Sequence, residues 1–228
     1  MSVAPLRSRA TSGPHFSPDV RPIHDHADGT NADDIDLARV AAAYRAFLES
    51  LGLDLADQDL AGTDYRVARA YRELLGGLRT SAEPRLSTFP NTEGYAGIVS
   101  VTGIPFYSLC AHHFLPFFGT AHVGYVPSDR LVGLSKLARV VDYHARRPQL
   151  QERLTERVAA MLDERIAPGG VIVVVEARHL CMEMRGVSKS AATTTTIAVR
   201  GTLKDERLQQ QFLMRLRGVR AESPAPGT

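Results

Sequence analysis

Between residues 34 and 52 apolar side chains recur every three to four positions: Ile35, Leu37, Val40, Tyr44, Phe47, Leu48 and Leu51 share one stripe, with acids before it and Gly52 after it. That period predicts an amphipathic helix. A second helix is predicted over 63–77, opening at a Thr63 cap, burying Val67, Tyr71 and Leu74, and stopping at Gly76 and Gly77. After a polar loop the period falls to two. Strands are predicted over 97–103, 104–110 and 119–127, where Ala121, Val123 and Tyr125 alternate with His122, Gly124 and Val126. Two further helices follow, over 134–148 with Pro148 as the stop, and over 149–166 with a Leu150, Leu154, Val158, Leu162 and Ile166 stripe. A long strand over 169–184, a β-branched strand over 193–201 and a closing helix over 205–218 complete the pattern. The order predicts an α+β domain, an antiparallel sheet faced by two central helices, preceded by N-terminal helices.

Length allows a full core and favours one domain over 34–218. The ends, 1–33 and 219–228, are rich in Pro, Ser, Gly and charge without periodicity and are expected to be disordered. His24 and His26 fall in the first of these and are read as a solvated tail. Net charge is +2, so anion binding has to come from local clusters, and nucleic acid is not an expected partner. There is neither a run of 18 apolar residues nor a secretory h-region, so no membrane association and a cytoplasmic location are expected.

Chemistry concentrates around the two cysteines. Cys110 is followed by His112 and His113, and Cys181 is preceded by His179. Cys110 and His113, three apart, can reach one ion through a turn, and on a strand His179 and Cys181 would project from the same face. Cys110, His113 and Cys181 would give zinc a Cys₂His set with a fourth position left for water, with His112 and His179 free as acid and base beside it. The same residues also fit a thiol nucleophile, or cysteines that are small buried hydrophobes. Lys136 and Arg139 share a helix face near an N-terminus, and Arg185 and Lys189 follow the second cysteine; they suit a polyphosphate, or simply form a solvated basic face. Glu152, beside Gln151, could accept from a guanine edge, but read alone a first-turn Glu is accounted for by helix electrostatics.

The strings SLCAHHFLPFFGTAHVGYVP, GLSKLARVVDYHARRPQLQERLT, VEARHLCMEMRGV and TTTT, in that order, resemble GTP cyclohydrolase I. The resemblance implies a T-fold subunit in a homodecamer of two pentamers with active sites between subunits. It implies zinc held by Cys110, His113 and Cys181, attack by water on C8 of GTP, and acid/base roles for His112 and His179. By the same resemblance Ser135 serves the later ribose rearrangement, Lys136, Arg139 and Arg185 contact the triphosphate, and Gln151 and Glu152 recognise guanine. The segment TDYRVARAY resembles the family's T-P-x-R-V-A, which makes Arg66 a phosphate contact, with Asp64 in place of Pro. Ala111 stands where the family carries an acid. The product would be 7,8-dihydroneopterin triphosphate with formate, feeding tetrahydrofolate or another pterin. Alternatives are a paralogue supplying deazapurine or secondary metabolism, and a nucleotide-binding paralogue with reduced activity. A third is a related T-fold enzyme with a cysteine nucleophile and a nicotinamide cofactor.

Overall fold

The structure is a computed structural model and describes residues 35–222. The expected disordered ends therefore lie outside the described residues, except that the last helix runs to Glu222, past the Gly218 boundary. Its elements are α1 (Leu37–Ser50), α2 (Thr63–Leu74), β1 (Thr88–Pro90), β2 (Val99–Cys110), β3 (Pro116–Val126), β4 (Arg130–Val132) and α3 (Leu134–Ala145). There follow β5 (Pro148–Gln149), α4 (Gln151–Ile166), β6 (Gly170–His179), α5 (Leu180–Glu183), β7 (Thr194–Gly201) and α6 (Glu206–Glu222). The arrangement is mixed α+β, with a main sheet in the order β5-β2-β3-β6-β7. Its four long strands are antiparallel; β5 adds a short parallel pairing to the end of β2.

Helix α1 starts where Asp36 accepts the Arg39 N–H at 2.9 Å, and the chain turns out of it at Gly52, φ 77°. Thr63 is not the cap of α2. Gly62, φ 74°, holds that position, and the Thr63 hydroxyl accepts from the Arg66 guanidinium instead. The buried positions of α2 are Asp64 and Ala68, whereas Leu74 is exposed and Val67 and Tyr71 are half-buried. Asp64 takes the Tyr65 N–H and the Arg45 guanidinium of α1 (2.6 Å). These two interactions hold its carboxyl below the ordinary carboxylate range. Asp64 thus ties the two N-terminal helices together.

The two strands expected over 97–110 are one, β2, with a register shift between Val101 and Ile104. Gly103, φ 70°, supplies the irregularity, and its N–H donates to His122 Nδ1 (3.1 Å) in place of a ladder partner. Strand β6 is apolar from Val171 to Val175 because both its faces are covered there. Val171, Val173 and Val175 join Leu137, Val140, Leu154, Val158 and Leu162 in the main core under α3 and α4. Ile172 and Val174 face the other way, onto Leu203, Phe212 and Leu216. The two central helices thus cover one face as expected, and α6 covers part of the second. Gly124 is needed there, since a Cβ on it would lie 2.7 Å from the Phe212 ring.

Strand β6 stops at His179, short of the predicted 184. Its last partner is Phe117, near the start of β3, and beyond that pairing the chain curls into the single turn α5. Cys181 therefore sits on a helical turn and not on a strand. Among the described residues no helix is long and apolar enough to cross a membrane.

Candidate functional site

Cys110 ends β2, and the next five residues form a tight connection to β3 in which the Cys110 N–H donates to Leu115 O and the Phe114 N–H to Cys110 O. The Ala111 N–H donates to Gln149 O, which pins the turn to β5. His113 stands exposed on this turn, while Cys110 is buried beneath it. The α5 turn brings Cys181 up from the neighbouring side. One donor atom from each of Cys110, His113 and Cys181 lies within 4.8 Å of the others, and the two Sγ atoms are 4.0 Å apart.

That spacing tests which chemistry the thiols can share. A disulfide needs about 2.05 Å between sulfurs. Two thiolates on one tetrahedral zinc, each about 2.3 Å from the ion, stand about 3.8 Å apart. The residues fit the metal. Burial and the adjacent Cys110 push the Cys181 thiol up from its ordinary value, against a smaller pull from Arg185. A Cys181 thiol raised in this way is the opposite of a free, activated nucleophile, and a cation between the two sulfurs would offset the charge that disfavours its thiolate.

His179 is fixed from two sides. Its ring lies flat on Phe117, 4.8 Å between centroids with 2° between planes, and its Nε2 is 2.8 Å from Gln151 Oε1. Gln151 is 2% exposed, and its Nε2 donates to Val175 O, Thr194 O and Thr196 Oγ1 at 3.0–3.1 Å. With two carbonyls as acceptors the amide has one orientation, so its oxygen faces His179 and accepts the Nε2–H. The free lone pair of a neutral His179 is then on Nδ1. Burial lowers the pKa of His179, partly countered by the carboxylates of Glu152 and Glu183. His112 stands exposed on the turn, its ring edge-on to His113 at 6.2 Å and outside the three-ligand cluster.

The remaining predicted residues divide. Gln151 is committed through its side chain to the interior and to His179; Glu152, next to it on the first turn of α4, is exposed. Arg185 is exposed just beyond α5. Arg66 folds back onto Ala61 O (2.9 Å) and Thr63. Ser135, Lys136 and Arg139 lie on the first turns of α3. Helix α3 runs from the β4 end toward Ser108, whose hydroxyl donates to Arg147 O. Lys136 is nine residues before Ala145, the last residue of α3, which places it about 14 Å back along the axis. Lys136 and Arg139 instead line an open pocket of about 830 Å³ with Arg72, Arg79, Arg85 and Arg146, and no residue of the metal cluster lines it.

Sequence reasoning missed two residues beside the cluster, Arg178 and Glu183, whose side chains form a fork of 2.8 and 2.5 Å between β6 and α5. Their spacing of five matches neither a strand face nor a helix face, so only the strand-to-turn junction reveals it.

The sequence profile of the family described as GTP cyclohydrolase I matches residues 40–217. The chain is 50% identical over 190 residues to the GTP cyclohydrolase 1 of Mycobacteroides abscessus, covering 82% of this chain and 91% of that protein. It is 48% identical over 186 residues to the protein of that name from Mycolicibacterium gilvum, 81% of this chain and 92% of that one. With that of Mycolicibacterium paratuberculosis it shares 53% over 171 residues, 74% and 83% of the two chains. The matched span takes in the whole Cys110, His113 and Cys181 cluster together with His112, Gln151 and His179, and on this agreement the chain belongs to the GTP cyclohydrolase I family.

Proposed function

We propose that the protein is a zinc-dependent GTP cyclohydrolase that converts GTP and water to 7,8-dihydroneopterin triphosphate and formate. The observation that carries the metal requirement is the 4.0 Å approach of Cys110 and Cys181, 71 residues apart in sequence, with His113 beside them. Bound there, zinc supplies Lewis-acid chemistry that brings the pKa of water toward neutrality and so makes a nucleophile available at physiological pH.

The chain's own side chains do the rest. His179, donating Nε2–H to Gln151, presents Nδ1 as the site that takes up a proton near the cluster. His112, exposed and outside the cluster, delivers a proton to a purine nitrogen as the imidazole ring opens. Glu152 offers an acceptor for the adjacent N–H groups of the guanine edge, and burial of the Gln151 amide holds that first turn of α4 in place. Lys136, Arg139 and Arg185 take the triphosphate, Arg66 contributing once released from Ala61, and Ser135 serves the later ribose rearrangement. Because Lys136 and Arg139 stand apart from the metal cluster of their own chain, these groups combine at a boundary between copies. This is in keeping with T-fold subunits forming a homodecamer of two pentamers. One catalytic domain over 34–218, working in the cytoplasm without membrane or nucleic acid, completes the reading. The product would enter tetrahydrofolate or other pterin synthesis.

The test is to incubate the purified protein with GTP and follow formate and pterin absorbance together. Stoichiometric release of both supports the proposal. GTP binding without formate would overturn it in favour of a nucleotide-binding paralogue, and the same assay on Ala111→Glu would report what the missing acid contributes.

A further inference from the structure

On the sheet face away from α3 and α4, Tyr107, Phe118 and Arg178 form one cross-strand row. Tyr107 pairs with Phe118 across β2 and β3, and Phe118 with Arg178 across β3 and β6. The two rings stack at 5.8 Å, and the Arg178 guanidinium lies 5.7 Å from the Phe118 centroid. The row continues off the sheet: Arg178 Nε and a terminal nitrogen donate to the two oxygens of Glu183, at 2.8 and 2.5 Å. The Glu183 side chain is 8% exposed, although residues 184–193 around it are open to solvent. The fork therefore anchors the end of α5, a turn with no side-chain cap at its start. Cys181 lies on that turn, two residues before Glu183. At the other end of the row, Tyr107 is three residues before Cys110 on β2.

We propose that Arg178 and Glu183 are positioning residues for the metal centre, bracing the α5 turn against β3 and β2 so that Cys181 is held at ligand distance from Cys110. This rests on the reading of Cys110, His113 and Cys181 as the zinc ligands. Neither brace residue belongs to the Cys110, His113 and Cys181 cluster. The physical reason for such a brace is entropy: a four-residue turn followed by an exposed loop would otherwise have to be ordered by the metal itself, at the expense of binding free energy. A planar, bidentate guanidinium–carboxylate fork fixes orientation as well as distance, which a lysine at the same place would not do. Phe118 keeps the guanidinium plane in register.

Zinc affinity of the full-length protein, measured by competition with a chromogenic chelator, tests this directly. Glu183→Gln and Arg178→Gln are each expected to bind zinc about 10–100-fold more weakly, the usual cost of removing a group that orients a ligand. The double variant is expected to be no worse than either single one, because both break the same contact. Glu183→Asp, which keeps the charge but shortens the reach, should fall between wild type and Glu183→Gln and keeps the test available if the neutral variant does not fold. Cys181→Ser serves as the reference: if it leaves zinc affinity unchanged, the ligand assignment itself fails. If Cys181→Ser loses zinc but the Arg178 and Glu183 variants bind within twofold of wild type, the brace is refuted while the site stands. A lowered melting temperature of the chelator-stripped variants with unchanged zinc affinity would likewise refute it, since that is the signature of a tie that serves the fold alone.

Discussion

His144, on the inner face of α3, should make the protein acid-labile in a way one substitution removes. Its side chain is 6% exposed, and neither ring nitrogen has a hydrogen-bond partner. Burial, with Arg147 and Arg157 nearby, pushes its pKa from 6.5 down to about 3. The folded state thus refuses a proton that the unfolded chain accepts, and the stabilisation of the neutral form is complete above about pH 6.5 and is lost as pH falls toward 3. At pH 5 the unfolded histidine is protonated and the folded one is not, a difference of about 1.5 pH units, or about 2 kcal/mol at 1.36 kcal/mol per unit. At pH 7.5 both states are neutral and this acid penalty is close to zero. In a protein of this length about 2 kcal/mol corresponds to a melting-temperature loss of about 4–8 °C. The assay is thermal unfolding of wild type and His144→Phe at pH 7.5 and pH 5. Taking the difference between the two pH values cancels any packing effect of the larger ring, and the variant should lose about 4–8 °C less than wild type on acidification. Equal losses in the two proteins would show that His144 is not a buried neutral group and would refute the reasoning.

Gln151→Leu removes the acceptor that holds His179 Nε2–H and leaves Thr155 and Thr196 paired with each other; kcat should fall about 10²-fold with zinc content unchanged. If kcat is unaltered, the tautomer assigned to His179 is wrong. Gly124→Val places a side chain where a Cβ already meets the Phe212 ring at 2.7 Å, and denaturant unfolding should show a loss of about 1–3 kcal/mol. A variant as stable as wild type would mean that α6 does not rest on this face of the sheet.

Much of this was legible in sequence because periodicity reports burial. The Leu154, Val158 and Leu162 stripe of α4 and the Ala121, Val123 and Tyr125 alternation of β3 both face the main core. The metal cluster was legible for a different reason: both cysteines carry histidine neighbours, and any fold that paired the two segments would make a site. What spacing could not convey was the local path of the chain. Cys181 was expected on a strand with His179, but pairing ends at Phe117 and the backbone turns, so Cys181 is carried to within 4.0 Å of Cys110 while His179 stays stacked on an aromatic ring. In α2 the stripe through Val67, Tyr71 and Leu74 suggested a buried face, whereas the tightest packing is at Ala68 and at Asp64, whose ion pair to Arg45 offsets the burial of its charge. Gln151 could be matched to guanine recognition by resemblance, yet its role as the clamp on His179 depends on β6 and β7 carbonyls that only the assembled sheet supplies.

The account turns on a single ion shared by two distant thiolates and an imidazole, and the direct measurement is zinc content and formate release followed together through chelation, zinc restoration and Cys181→Ser substitution. We expect about one zinc per chain, loss of metal and turnover in parallel on stripping, recovery of both on adding zinc, and neither in Cys181→Ser. Undiminished formate release from metal-free protein, or from Cys181→Ser, would contradict it.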